Sequence, residues 1–162
     1  MKAIVIYDSQ YGFTEEVAKA VGAAMGAEVK VQKIGETDAA GLAAYDLIVI
    51  GSPTQGGRYT AAMKAFLEKI PQGALKKKNA AAFDTRLKTP LVRLFGYAAG
   101  RIAEALKKQG ANLVVPAEPF LVKSAKGPLA EGEAEHAAAW GKTLLAAVKA
   151  AGDTGAGLLD RP

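Results

Sequence analysis

Three stretches of the chain are apolar at almost every position, and the other extended stretches alternate or are interrupted. Ala3-Ile4-Val5-Ile6-Tyr7, Leu47-Ile48-Val49-Ile50 within 46–51, and Ala80-Ala81-Ala82-Phe83 within 78–83 have no polar face. Uninterrupted apolar runs of this length, bounded by turn residues, read as strands buried on both sides. Residues 27–34 alternate apolar with polar, as a strand with one wet face does. Asn112–Val115 and Phe120–Val122 flank Pro116 and Pro119, and proline restricts that region to an edge or a break.

Between these runs the apolar positions change to helical spacing. Val17, Ala18, Val21, Ala24 and Met25 share one face, and the helix ends around Gly22–Gly26. Ala62, Met63, Phe66, Leu67 and Ile70 share another, closed by Pro71 and Gly73. A third helix is expected over roughly 95–109, with Ala99, Ile102, Ala103 and Leu106 inward and Gly110 at its end. A fourth spans about 129–150, burying Ala134, Ala137, Ala138, Gly141, Leu144, Leu145 and Val148, and a helical turn fits 38–44. The expected organisation is one domain over 1–151 and a Gly-rich, flexible tail over 152–162.

Five alternations of strand and helix without a repeat predict an α/β protein: an open parallel sheet, helices on both faces and right-handed crossovers. Three central strands between two edge-like ones suit the order 2-1-3-4-5. A ligand then sits beyond the carboxyl ends of the strands, where the order reverses.

Composition narrows the chemistry. The 162 residues include no cysteine and one histidine. Disulfides, thiolate nucleophiles, cysteine-ligated metals and histidine-centred triads are thereby excluded or disfavoured. The chain enters its first strand without a leader pattern and holds no apolar run of membrane-spanning length, so a cytoplasmic protein with no membrane span is expected. The net charge of +5 favours acidic partners. Lys76-Lys77-Lys78 has no aromatic neighbours and precedes a strand, which fits a solvated loop better than a nucleic-acid site.

The chemically informative stretch is Ser9-Gln10-Tyr11-Gly12-Phe13-Thr14, between the first strand and the first helix. A helix N-terminus offers unpaired N–H groups and a positive dipole end, glycine allows close backbone approach, and Ser9 and Thr14 add hydroxyls. Together they read as a seat for a phosphate monoester. The plainer reading is that Ser9 and Thr14 only cap the helix. After the first strand this loop has neither G-x-G-x-x-G nor a lysine before its Ser/Thr, against a dinucleotide domain or a triphosphate loop. Gly51-Ser52 occupies the position where a receiver domain of this topology needs its acceptor aspartate, and a phosphatase of similar fold needs a cysteine.

Val5, Ile6, Tyr7, Ser9, Gly12, Thr14, Ala18 and Val21 resemble the flavodoxin signature in type and position. Gly51-Ser52-Pro53-Thr54-Gln55-Gly56-Gly57 is similar to the flavin-bordering loop of that family, and Asp84-Thr85 follows a strand where the family meets the pyrimidine side of the ring. The resemblance implies a flavodoxin-like three-layer sandwich that binds FMN. Its phosphate would lie in 9–14, and its ring between Pro53–Gly57 and a third loop comprising 84–93. The chain departs from the family in two respects. Only Tyr59 follows the second loop and only Phe95 and Tyr97 the third, while Trp140 reads as a packing residue and His136 as exposed. Flavodoxins are usually acidic, whereas Arg86, Lys88 and Arg93 make this a basic variant. Arg86 is then either a cation that raises the potential for full flavin reduction or a solvated loop charge. The implied function is electron transfer, either to an acidic partner protein or to a small acceptor such as a quinone. The alternatives are an NAD(P)H-dependent quinone reductase and a flavin-free module of the same fold.

Overall fold

Alternate residues of the central strands face two separate helical layers. In the computed structural model, which describes residues 1–88 and 97–159, β1 spans Ala3–Tyr7, α1 Phe13–Met25, β2 Lys30–Lys33, β3 Leu47–Pro53 and α2 Ala61–Glu68. They are followed by β4 at Asn79–Leu87, α3 at Ala98–Lys108, β5 at Asn112–Leu113, β6 at Glu118–Val122 and α4 at Glu133–Leu159. Ile4, Ile6, Ile48, Ile50, Ala80 and Ala82 pack under α2 and α3 with Met63, Phe66, Ile102 and Leu106. Val5, Tyr7, Val49, Ala81 and Phe83 point the other way, against Val17, Val21, Trp140 and Leu144 of α1 and α4. This is the period-two consequence of a strand buried on both faces.

The sheet is parallel throughout with order β2-β1-β3-β4-β5, and β6 also pairs with β4. The edge after β4 is therefore one strand position filled by two pieces. Asn112 and Leu113 pair with Asn79 and Ala80, and Glu118–Val122 pair with Phe83–Leu87. Pro116 lies in the gap, as a residue without an N–H for the ladder should.

Several boundaries differ from expectation. β4 continues to Leu87, so Asp84, Thr85 and Arg86 are strand residues and not a loop. The reason is lateral: Ser52 and Pro53 of β3 pair with Asp84 and Thr85, and β6 pairs along the other side. β2 is shorter than expected at both ends. α4 begins later, at Glu133, and its backbone stays helical past Ala150 to Leu159. Of the third helix, 98–108 is observed. Its expected start at Phe95, together with the third-loop residue Arg93, lies outside the described residues. His136 is half-buried and not exposed, and Trp140 packs edge-on against Phe83 and Phe120 in the core.

Candidate functional site

β1, β3 and β4 release the chain at the same edge of the sheet, and the outlets enclose a cavity of about 330 Å3. That volume is at the lower end of ordinary ligand sites, roughly 300–1,000 Å3. Of the residues expected at a site, Ser9, Gln10, Tyr11, Phe13, Thr14, Pro53, Thr54, Gln55, Thr85 and Arg86 line it. Leu87, Val122 and Ala125 complete the wall. These three were not foreseen, because the position of β6 beside the end of β4 is set by tertiary pairing. A hydrophobic residue ending a strand at the carboxyl edge is the sequence signal that could have suggested Leu87 and Val122, and Ala125, in the turn after β6, had none.

The first loop is built around the start of α1. Gly12 occupies the N-cap position in a left-handed conformation (φ 92°), and no side chain caps the helix. Ser9 Oγ accepts a 3.0 Å bond from the Gly12 N–H and so shapes the loop instead of capping α1. Glu16 N–H makes the first intrahelical bond, to Gly12 O, which leaves the amides of Phe13, Thr14 and Glu15 without a partner inside the helix. The space over Gly12 is open, with nothing within 4 Å of where a Cβ would stand. Thr14 is buried and shares a 2.8 Å hydrogen bond with Thr85 across the cleft floor. Two hydroxyls carry two protons and this bond uses one, so one O–H remains for a ligand. Glu15, in the same turn, is held aside: the hydrogen bond from Tyr7 keeps its carboxyl below the usual value. Burial, reinforced by Glu15, pushes the Tyr7 hydroxyl far upward.

The second loop is a fixed structure. Gln55 and Arg58 exchange backbone hydrogen bonds around Gly56 (φ 56°) and Gly57 (φ 78°), a two-residue turn with both central residues left-handed. Thr54 N–H donates to Thr85 O, and Thr54 Oγ1 accepts from the Ala98 N–H. Arg101 Nε donates to Gly57 O. Thr60 caps α2 at Met63 and donates to Asp8, which ties this loop to the end of β1. Gln55 reaches Gln10 across the mouth of the cleft.

Asp84 and Arg86 do something other than expected. Asp84 is fully buried and does not line the cleft. Its carboxylate accepts from Arg86 Nε (2.8 Å), Arg86 Nη2 (2.7 Å) and the Ala99 N–H (2.9 Å) at the start of α3. The Arg86 guanidinium lies 3.3 Å from the centre of the Tyr97 ring. Arg86 is thus neither a solvated charge nor a free cation, but half of a forked ion pair roofed by an aromatic ring. Tyr59 also turns away, packing against the core cluster under α2 and α3. It lines a broad open groove of about 840 Å3 along α3 with Tyr97, Arg101 and Lys108. The first amides of α3, beside that groove, are already taken, Ala98 N–H by Thr54 and Ala99 N–H by Asp84, whereas the start of α1 opens into the smaller cleft, which is the candidate site. Tyr11 and Phe13, with ring centres 6.3 Å apart, are the aromatic residues lining that cleft among the described residues. Among the described residues, no three or more His, Asp or Glu side chains converge to hold a metal ion.

The doubly wound α/β fold, with an uncapped helix start at the strand-order reversal, defines a class whose ligand clefts lie at the carboxyl edge of the sheet. A family model, Flavodoxin, matches residues 5–141, and the chain belongs to the flavodoxin family. Its structure is similar to that of oxidised Flavodoxin 2 from Bacillus cereus, with a TM-score of 0.77 and 25% identity over 90% of this chain and 98% of that one. It has the fold of a flavodoxin from the domain Archaea, with a TM-score of 0.76 and 24% identity over 92% and 99% of the two chains. A curated relative from Azorhizobium caulinodans, named NAD(P)H dehydrogenase (quinone), is 37% identical over a stretch covering 51% of this chain. The match spans about half the length of that relative, 55%. No described helix is long and apolar enough to cross a membrane.

Proposed function

We propose that the protein binds FMN in the cleft between Ser9–Thr14, Pro53–Gly57 and Thr85–Leu87, and carries electrons between partner proteins or to a small acceptor. The observation that supports this best is the uncapped start of α1, opening onto a hydroxyl pair with a proton to spare and no lysine in the cleft. A triphosphate needs a cation there, whereas a monoester is matched by amide and hydroxyl donors. FMN when bound supplies the electron uptake and release. The chain's part is to hold and enclose it. The amides of Phe13, Thr14 and Glu15, with Ser9 and the Thr14–Thr85 pair, would take the phosphate. The fixed second loop would border the ring on one side, with Thr85 and Leu87 on the other. Leu87 and Val122 keep water from that wall.

Flavin fluorescence quenching on titration of the purified protein tests the reading. FMN is expected to bind far more tightly than riboflavin, since the seat recognises the phosphate. Equal affinities would remove the phosphate seat, and no binding of either would leave a flavin-free module of this fold. The partial match to a protein named as a quinone dehydrogenase favours a second activity. Steady oxidation of NADH or NADPH by a quinone in the presence of the FMN-loaded protein would establish it.

A further inference from the structure

The edge of the sheet onto which the cleft opens has its charges sorted by side. Beyond β1 and β2 lie the exposed Glu16, Glu36 and Asp38, which outnumber the exposed Lys33 at the end of β2. Beyond β4 and β6 the charged exposed side chains among the described residues are basic. Lys88 directly follows Leu87 and Lys123 directly follows Val122, and Leu87 and Val122 are register partners on adjacent parallel strands. Two ammonium groups therefore leave the sheet side by side. Lys126 stands in the next turn, and Arg58 closes the hairpin of the second loop on the same edge. All four are exposed, and none of their side chains has a hydrogen bond or ion pair among the described residues. Tyr11 lines the cleft and is 55% exposed, which is unusual for a large ring in this chain.

Like charges on neighbouring strands oppose each other, and no carboxylate among the described residues pairs with either lysine. An acidic surface laid over the cleft would. Tyrosine and arginine are also the residue types that concentrate binding energy at interfaces, and rim lysines steer an acidic partner towards them. Resting on the electron-carrier reading above, we propose that Arg58, Lys88, Lys123 and Lys126, with Tyr11, form the docking face for an acidic redox protein. The two-signed edge orients that partner: its carboxylates meet the β4–β6 side, while Glu16 and Glu36 repel them from the β2 side. A nucleic acid suits the face less well, because a continuous phosphate backbone crossing the cleft would run into those carboxylates. Lys76-Lys77-Lys78, the densest basic run, lies at the opposite end of β4, away from the cleft.

The test is a titration of the isotopically labelled, FMN-loaded full chain with short poly-L-glutamate at low salt, followed by amide chemical shifts. Shifts are expected at Tyr11, Arg58, Lys88, Lys123 and Lys126. A Lys88→Glu/Lys123→Glu variant should bind the probe on the order of tenfold more weakly, as should the unaltered chain at high salt. Shifts centred on residues 76–78, an affinity unmoved by charge reversal, or tighter binding of an oligothymidylate at this face would each overturn the proposal. FMN affinity is measured in parallel on both chains. Failure of the unaltered chain to bind FMN counts against the flavin reading, while normal FMN binding with no effect of reversal counts against the docking face alone.

Discussion

Thr14 and Thr85, separated by 71 positions, share a 2.8 Å hydrogen bond between the head of α1 and the outlet of β4. The bond fixes two of the three walls of the cleft relative to each other and leaves one hydroxyl proton free to meet a ligand. Replacing Thr85 by the isosteric valine leaves the buried Thr14 hydroxyl without its protein partner. The expected loss is about 1 kcal/mol of stability, read as a lowered urea midpoint. Affinity for FMN should fall while that for riboflavin stays level; a parallel fall in both would mean that the pair does not serve the phosphate.

Arg86 offers a second test. Its fork closes on a carboxylate that is itself fully buried, with 13% of the Arg86 side chain exposed. Arg86→Ala strips the counterion from Asp84, and removal of one partner from a buried pair costs roughly 3–5 kcal/mol. Guanidinium denaturation measures this. Arg86→Lys should recover only part of it, since an ammonium cannot donate the two parallel bonds or stack on Tyr97 in the same way. Because Asp84 neutralises the cation, its direct effect on a bound flavin should be small.

His136 makes stability depend on pH. Burial opposes its charge, but hydrogen bonds with Glu118 and Glu133 outweigh that and raise its pKa above 6.5. Glu118 is on β6, and Glu133 also accepts the Leu121 N–H, so the cluster joins the edge strand to α4. A raised folded-state pKa stabilises the fold fully below the unfolded value, and the contribution is lost as pH rises through the folded value. The gap in denaturation midpoint between the native chain and His136→Gln should therefore be wider below pH 6.5 than well above it. A gap that does not change with pH would show that the contact is not ionic.

Gly51 tests the packing of the sheet. A Cβ there would stand 2.1 Å from the Phe83 ring, which is fully buried. Gly51→Ala is expected to cost about 1–3 kcal/mol as overpacking. Adding Phe83→Leu should cost less than the sum of the single changes, because the two sites are in contact.

The strands and helices were legible because burial leaves a local record. Ile4, Val5 and Ile6 are apolar in a row since both faces of β1 are covered, and Val17, Val21 and Met25 recur on one side since α1 has one covered face. The uncapped turn at the head of α1 was legible for a similar reason, as its free amides come from consecutive residues. Asp84 was not. Its place on the opposite face of β4 from Thr85 follows from alternation, but its partner could have been a ligand, a cation or a helix end. Only the approach of α3 brings the Ala99 N–H and Tyr97 to that face.

The amino-acid order by itself determined the parallel sheet, its strand order, the edge that carries the cleft and the amide-rich turn at the head of α1. These follow from periodicity and turn chemistry, which act over a few residues. The tertiary structure alone decided that β5 and β6 share one edge of β4, that Thr14 meets Thr85, that Arg86 is spent on Asp84 and that Tyr59 faces away from the cleft. Each of those depends on which distant element arrives beside a given face, and the free energy that selects it is shared among residues far apart in the chain.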